Sequence, residues 1–287
     1  MALNEDMTVS QLKREITGAL TEAVGAGEAA AMSREIIRHL LGYSPVKAVI
    51  NGDRTVEPLT VRAAGDIVAR VKGGEPLQYI VGTAPFMGME LKVTPAVLIP
   101  RPETAELVDI IGDAWKGRTG LRVLDLGTGS GCIAIALSRL LPFSAVTGMD
   151  VSADALDVAR ENGSRLGAKV MWRQADILTA APQADTYDII VSNPPYIADS
   201  ERQTMDPRVY GHEPTGALFV PDSDPLKFYR AIAAYASTAL SHGGALYFEI
   251  NPLFVDGMRD LLTKAGFADI DILRDFRGNY RFAVCHH

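Results

Sequence analysis

Cysteine is scarce in this chain. Cys132 and Cys285 are the only two in 287 residues, too few for a disulfide framework or a thiolate metal cluster. A cationic excess is also lacking. Lys and Arg number 28 against 35 Asp and Glu, a formal net charge of −7. Phosphate neutralisation dominates affinity for nucleic-acid backbones, so this balance argues against such a backbone as the main partner. A local basic patch stays open. No apolar run is long enough to cross a bilayer. Met1 to Asp6 lacks a basic segment followed by an apolar one, so no secretory signal is expected and the cytoplasm is the default. What is present is ordinary globular composition, 47% hydrophobic and 22% charged, enough for one large or two modest domains.

The most informative stretch is Tyr187-Asp188-Ile189-Ile190-Val191-Ser192-Asn193-Pro194-Pro195-Tyr196. A short β-branched run after an acidic residue reads as a buried parallel strand. Two prolines then stop it, since neither can donate to a sheet ladder. Each proline also keeps the residue before it out of the α region. The result is a stiff corner at the carboxyl end of a strand, where open α/β sheets place ligands. Asn193 Oδ1 and the Pro194 carbonyl are two acceptors held close together. They match the two hydrogens of a planar –NH2 group, and Tyr196 offers a ring to its flat face. A carboxamide or a nucleobase carries such a group. The alternative is a proline-rich strand exit with no site role.

Upstream, Thr8-Val9-Ser10-Gln11 reads as a capping box. Leu12, Ile16, Leu20 and Val24 continue it as one apolar helical stripe. A second helix is expected from about Glu28 to Leu41, and a third from Thr60 with Val61, Ala64, Ile67, Val68 and Val71 inward. Residues 1–75 therefore read as a small helical bundle. Residues 76–102 read as a β-hairpin linker, with Gln78–Gly82 and Met89–Val93 as its strands. Residues 103–287 read as the larger domain. Between them, Ile99-Pro100-Arg101-Pro102-Glu103-Thr104 is either a rigid elbow or part of the site.

In the larger domain, strand, Gly127-Thr128-Gly129-Ser130-Gly131 turn and helix follow in order. The glycines permit unusual dihedrals and let a ligand approach the backbone, and the helix start offers N–H groups. Taken from Gly129 the turn satisfies the looser dinucleotide pattern, so alone it is weak. No Lys-Ser or Lys-Thr follows, which argues against a P-loop. Joint spacing decides. The glycine turn follows strand one, Asp150 strand two and suits a ribose diol, Asp176 strand three, and Asn193 strand four. That order fits S-adenosylmethionine better than NAD. Cys132, at the helix start, is expected to pack rather than react. The segment from 197 to 224, with Asp206-Pro207-Arg208 and His212-Glu213-Pro214, reads as a lid or substrate wall. A final strand pair, Asp269–Arg274 and Tyr280–Cys285, closes a parallel α/β sheet with an antiparallel hairpin.

The chain resembles the bacterial protein-(glutamine-N5) methyltransferases that modify class 1 peptide chain release factors. The motifs are Pro76-Leu77-Gln78-Tyr79-Ile80-Val81-Gly82, Ile99 to Thr104, Asp125-Leu126-Gly127-Thr128-Gly129-Ser130-Gly131, Asn193-Pro194-Pro195-Tyr196 and His212-Glu213-Pro214 with Ala217-Leu218. Asn-Pro-Pro-Tyr is shared with adenine-N6 DNA methyltransferases; the Pro-Arg-Pro-Glu-Thr segment behind a helical bundle is more specific. The resemblance implies a class I, Rossmann-like methyltransferase fold: an α/β, mostly parallel seven-stranded sheet with an antiparallel last strand, plus a small N-terminal helical bundle that docks the substrate. It implies S-adenosylmethionine on Gly127 to Gly131, Asp150, Ile177 and Asn193, and a substrate glutamine on Asn193, Pro194, Pro195 and Tyr196. The implied partner is a release factor with a Gly-Gly-Gln loop, and a monomer without direct nucleic-acid binding is expected. Ile177 stands where many members carry an aromatic ring, Asn251 where Gly is usual, and Phe254 where Gln is common. Three rival readings remain: a ribosomal-protein glutamine methyltransferase, an adenine-N6 nucleic-acid methyltransferase and a non-catalytic binding module.

Overall fold

The computed structural model describes residues 7–204 and 211–287. Asp206-Pro207-Arg208 of the expected lid and the Met1–Asp6 start lie outside them. The described residues form two compact units, residues 7–82 with 211–212 and residues 83–204 with 213–287.

The first unit holds α1 (Val9–Val24), α2 (Ala26–Leu41), α3 (Pro45–Ile50), α4 (Pro58–Lys72) and α5 (Leu77–Val81). The capping box is formed: Thr8 N–H donates to Gln11 Oε1 at 2.7 Å, and Gln11 N–H to Thr8 Oγ1 at 3.3 Å. The stripe Leu12, Ile16 and Leu20 is fully buried with Ile36, Ile37, Val61, Ala64 and Val71. One element went unread and one reading needs correction. The short helix α3 was not anticipated; it buries only Ala48, too little for a stripe to be visible. Gln78–Gly82, read as a strand, lies in helix α5 and at its left-handed C-cap, Gly82. Leu77 and Val81 pack into the bundle core, and that burial overrides the β-branched composition.

The second unit opens with a hairpin, β1 (Thr83–Phe86) and β2 (Met89–Lys92), followed by α6 (Pro102–Ala114). The main sheet then takes β3 (Arg122–Leu126), α7 (Cys132–Leu140), β4 (Ala145–Asp150), α8 (Ala153–Arg165), β5 (Val170–Gln174) and β6 (Tyr187–Ser192). A two-stranded ladder of β7 (Ile197–Ala198) and β8 (Phe219–Val220) flanks the short helix α9 (Thr215–Leu218). The chain ends with α10 (Lys227–Ala239), β9 (Leu240–Glu249), α11 (Val255–Lys264), β10 (Ala268–Arg274) and β11 (Tyr280–His286).

The seven strands lie in the order β10-β11-β9-β6-β3-β4-β5. Pairings among β9, β6, β3, β4 and β5 are parallel, while β11 runs antiparallel to both neighbours. Period-two alternation sorts the side chains onto two faces. Val123, Ile189, Val191 and Tyr247 join one core with α6 and α7. Leu124, Ile190, Leu246 and Phe248 join the other with α10 and α11. Strand order reverses between β3 and β6, the switch point at which α/β sheets open a crevice.

Candidate active site

Leu126 and Ser192 are register partners at the carboxyl ends of β3 and β6. Ser192 Oγ donates to the Leu126 carbonyl at 2.6 Å. The glycine turn and the Asn-Pro-Pro-Tyr corner therefore begin side by side. A cavity of about 280 Å³ lies above them. It is lined by Gly127, Thr128, Gly129, Ser130, Asp150, Asp176, Ile177, Asn193, Pro194 and Pro195. Two expected site residues, Gly131 and Tyr196, are not part of this lining.

The turn is built from left-handed glycines, with φ of +73° at Gly127, +53° at Gly129 and +82° at Gly131. A Cβ on Gly127 would meet nothing within 4 Å, so the backbone faces open cavity there. Gly131 serves the opposite side. A Cβ on it would lie 2.9 Å from the Trp172 ring, so it lets that ring pack behind the turn.

Three carboxylates behave differently. Asp150 Oδ2 accepts from Gly129 N–H and Oδ1 from Ser152 N–H, both at 2.9 Å. It ties two turns together and still carries lone pairs toward the cavity it lines. Asp176 Oδ1 accepts from Leu178 N–H at 2.9 Å. Asp125 is fully buried beneath the turn, accepting from Thr128 Oγ1 at 2.5 Å and Ala134 N–H at 3.1 Å. Burial lifts its carboxyl to about 7. Cys132 is buried, and burial pushes its thiol up to about 12, so it packs as expected and carries no thiolate at neutral pH.

Around Asn193 the structure reveals partners that the sequence did not point to. Asn193 Nδ2 donates to Thr104 Oγ1 at 3.1 Å. Thr104 Oγ1 donates to Glu249 Oε2 at 2.7 Å. The Tyr196 hydroxyl donates to Glu249 Oε1 at 3.1 Å. The corner is thus closed into a ring through one buried carboxylate, and Tyr196 spends its hydroxyl inside that ring. Burial raises the Glu249 carboxyl and the two hydroxyl donors lower it. Tyr196 is raised by burial and by the Glu249 charge. A signal for Glu249 existed: it is a lone acid ending an apolar strand, and a buried charge needs partners.

The Pro-Arg-Pro segment is part of the site. Pro100, Arg101 and Thr104 line the cavity. Glu213 is buried and accepts from Ile99 N–H at 3.3 Å and Arg101 Nη2 at 2.5 Å, which fixes Pro214 beside the same cavity. Asn251 needs no glycine conformation, with φ −74° and ψ 123°. Its Nδ2 donates to the Tyr196 carbonyl at 3.1 Å and Glu201 Oε1 at 2.9 Å, and its Oδ1 accepts from Leu253 N–H at 3.0 Å. The strand exit is braced by this substitution.

These residues fit S-adenosylmethionine: a backbone cradle open at Gly127, acceptors at Asp150 and Asp176, and apolar walls from Val97, Ile133, Met149 and Ile177. Among the described residues, no group of three or more His, Cys, Asp or Glu is arranged to hold a metal.

Comparison with known proteins agrees with this geometry. The PrmC N-terminal domain model matches residues 11–82 and the methyltransferase small domain model matches residues 106–207. The release factor glutamine methyltransferase of Bacteroides thetaiotaomicron is 42% identical over 260 residues, covering 90% of this chain and 93% of that protein. That of Bordetella pertussis is 40% identical over 253 residues, covering 88% and 92%. Among solved structures, a methyltransferase from Pyrococcus furiosus aligns with a TM-score of 0.53 at 18% identity, covering 77% of this chain and 98% of that one. The T. thermophilus 16S rRNA N2 G1207 methyltransferase, in complex with AdoMet and guanosine, aligns at 0.54 and 21% identity, covering 71% and 49%. These two establish the fold alone. With such identity across nearly all of both sequences, the chain belongs to the release factor glutamine methyltransferase family.

Proposed function

We infer that the protein transfers a methyl group from S-adenosylmethionine to the side-chain N5 of a glutamine, in the Gly-Gly-Gln loop of a class 1 peptide chain release factor. It thereby supports translation termination. The observation that carries the reading is the placement of Asn193. Its Nδ2 is turned to Thr104, so its oxygen is the polar atom it brings to the cavity beside the glycine turn.

When bound, S-adenosylmethionine supplies a methyl group on a positively charged sulfur. Gly127 to Ser130, Asp150, Asp176 and Ile177 would hold it. A carboxamide nitrogen is a poor nucleophile because its lone pair is delocalised. Asn193 Oδ1 and the Pro194 carbonyl accept its two hydrogens and fix the nitrogen in line. Those bonds strengthen as the nitrogen gains positive charge, a differential stabilisation of the transition state. The surplus proton leaves to water after transfer, so no dedicated base is needed.

The helical unit acts as the dock for the release factor, because one glutamine offers little specificity. We take the enzyme as a cytoplasmic monomer without direct nucleic-acid contact; the net charge of −7 supports the last of these three. The test is a labelled-methyl assay with purified release factors and ribosomal proteins, followed by mapping of the modified residue. Label on the Gly-Gly-Gln glutamine is expected; label only on a ribosomal protein would overturn the substrate assignment. A second arm removes residues 7–82 and reads release-factor affinity. The cut falls after Gly82, since helix α5 belongs to the bundle core. Unchanged affinity would remove the docking role.

A further inference from the structure

An amide at a strand corner can present either its oxygen or its NH2 to a ligand, and the two differ by a half-turn of the side chain. For an acceptor role only one orientation works. What holds Asn193 in it follows from the chemistry of the three groups behind it. A hydroxyl has a single hydrogen to donate. Glu249 is 2% exposed and accepts from Thr104 Oγ1 at 2.7 Å, so the Thr104 hydroxyl spends its single hydrogen there. Its oxygen can then only accept from Asn193, 3.1 Å away. Polarity is passed along the chain of bonds: acceptor at Glu249, donor then acceptor at Thr104, donor at Asn193 Nδ2. The amide oxygen is left for the cavity. Tyr196 closes the other side, donating to the second oxygen of the same carboxylate at 3.1 Å. Both ends of the Asn-Pro-Pro-Tyr corner are thereby referenced to one fixed group on β9.

We propose that Thr104 and Glu249 are positioning residues for methyl transfer: Glu249 dictates the direction of the Thr104 hydroxyl, and Thr104 locks the Asn193 amide with its oxygen toward the substrate nitrogen. The proposal rests on the functional reading above, in which Asn193 accepts from the substrate carboxamide. With the hydroxyl removed, Asn193 Nδ2 loses its acceptor, and the flipped amide presents a donor to a donor. Substrate and cofactor still enter the cavity, so the damage falls on turnover rather than on cofactor affinity. The location of Thr104 gives the Pro-Arg-Pro-Glu-Thr segment its role. The prolines start α6 at Pro102 and carry Thr104 in its first turn, under the corner.

The experiment uses the full chain with S-adenosylmethionine and a purified release factor. Thr104→Val is nearly isosteric and removes only the hydroxyl; Thr104→Ser keeps it; Asn193→Ala is the benchmark. Expected for Thr104→Val is a fall in kcat of about tenfold, the loss of roughly one buried hydrogen bond's worth of orientation. Its KM for S-adenosylmethionine and its melting temperature should stay close to wild type. Thr104→Ser should recover most of the rate. If Thr104→Val unfolds, Thr104→Ala removes the same hydroxyl without the added methyl contact. Wild-type turnover in Thr104→Val with loss in Asn193→Ala would overturn the positioning role and leave the functional reading standing. Wild-type turnover in both would overturn the two together. A loss that serine does not restore, or one matched by an equal loss of cofactor affinity, would reduce Thr104 to packing and also overturn the proposal.

Discussion

Asn162 on α8 pairs with the main chain of Lys92 on β2 through both ends of its amide. Lys92 N–H donates to its Oδ1 at 2.7 Å, and its Nδ2 donates to the Lys92 carbonyl at 2.9 Å. The same Nδ2 reaches the Ser130 carbonyl in the glycine turn at 2.9 Å. The hairpin, expected as a linker, is thus fastened to the back of the glycine turn. Asn162 is fully buried, so Asn162→Leu strands three main-chain groups. A loss of about 2–4 kcal/mol in unfolding free energy is expected, together with weaker cofactor binding because Ser130 is released. Chemical denaturation and cofactor titration check both effects. An unaltered denaturation midpoint would show that the hairpin is held by apolar packing alone.

Gly148 lies under Trp172. A Cβ there would stand 2.5 Å from Trp172 Cζ3 and 2.9 Å from Thr128 Oγ1. Gly148→Ala must push the ring, the glycine turn or both. Overpacking of this kind costs about 1–3 kcal/mol, and affinity for S-adenosylmethionine should fall with it. Pairing Gly148→Ala with Trp172→Leu should recover part of the affinity. Calorimetric titration reads the outcome, and an unaffected single variant would refute the close contact.

The Arg122 guanidinium draws the Asp188 carboxyl down to about 2, helped by Arg122 N–H and Ser241 Oγ. An unfolded aspartate titrates near 4. The folded state therefore gains stability above about pH 4 and loses it as pH falls from there toward 2. The pair is partly exposed, with side-chain exposures of 42% for Arg122 and 21% for Asp188. Solvent screening reduces the contribution to on the order of 1 kcal/mol. Denaturation at pH 7, 4 and 2 should show the acid loss in the wild type and less of it in Asp188→Asn. Equal acid sensitivity in the two proteins would place the effect elsewhere.

Asn251 braces the Tyr196 carbonyl, Glu201 and the Leu253 amide. Asn251→Gly removes this brace from the Tyr196 carbonyl and the Leu253 amide and frees the backbone. A fall of about 1–3 kcal/mol in unfolding free energy is expected. Thermal and chemical denaturation measure it. No change would mean that water replaces the side chain at no cost.

Asn193→Ala should cut turnover tenfold to a few hundredfold, the rate equivalent of losing a charge-assisted bond of about 1.5–3 kcal/mol. Cofactor affinity should drop less, since Asn193 is one of many groups lining the cavity. Steady-state kinetics with a release factor separate the two. Turnover near wild type would refute the assigned role.

The parallel sheet, its antiparallel end and the glycine turn were legible along the chain, because period-two alternation, glycine turns and proline stops act over a few residues. Val123 and Leu124 already declare opposite faces by their spacing, and Gly127 to Gly131 declare a turn by their lack of side chains. The order of Asp150, Asp176 and Asn193 after successive strands predicted one cavity, and all three line it. The sequence also carried the capping box at Thr8 and Gln11, which needs only neighbours three residues apart.

Tertiary structure decided what depends on partners remote in the chain. Gln78–Val81 became helix because the bundle core takes Leu77 and Val81. Tyr196 left the cavity lining because Glu249, 53 positions away, holds its hydroxyl. Thr104 and Glu249 meet across 145 positions, and no periodicity records such a pairing. A buried carboxylate must satisfy its lone pairs, but which hydroxyls do so is set by how the strands stack. The residues for this chemistry were therefore readable one by one, and their orientation came only with the fold.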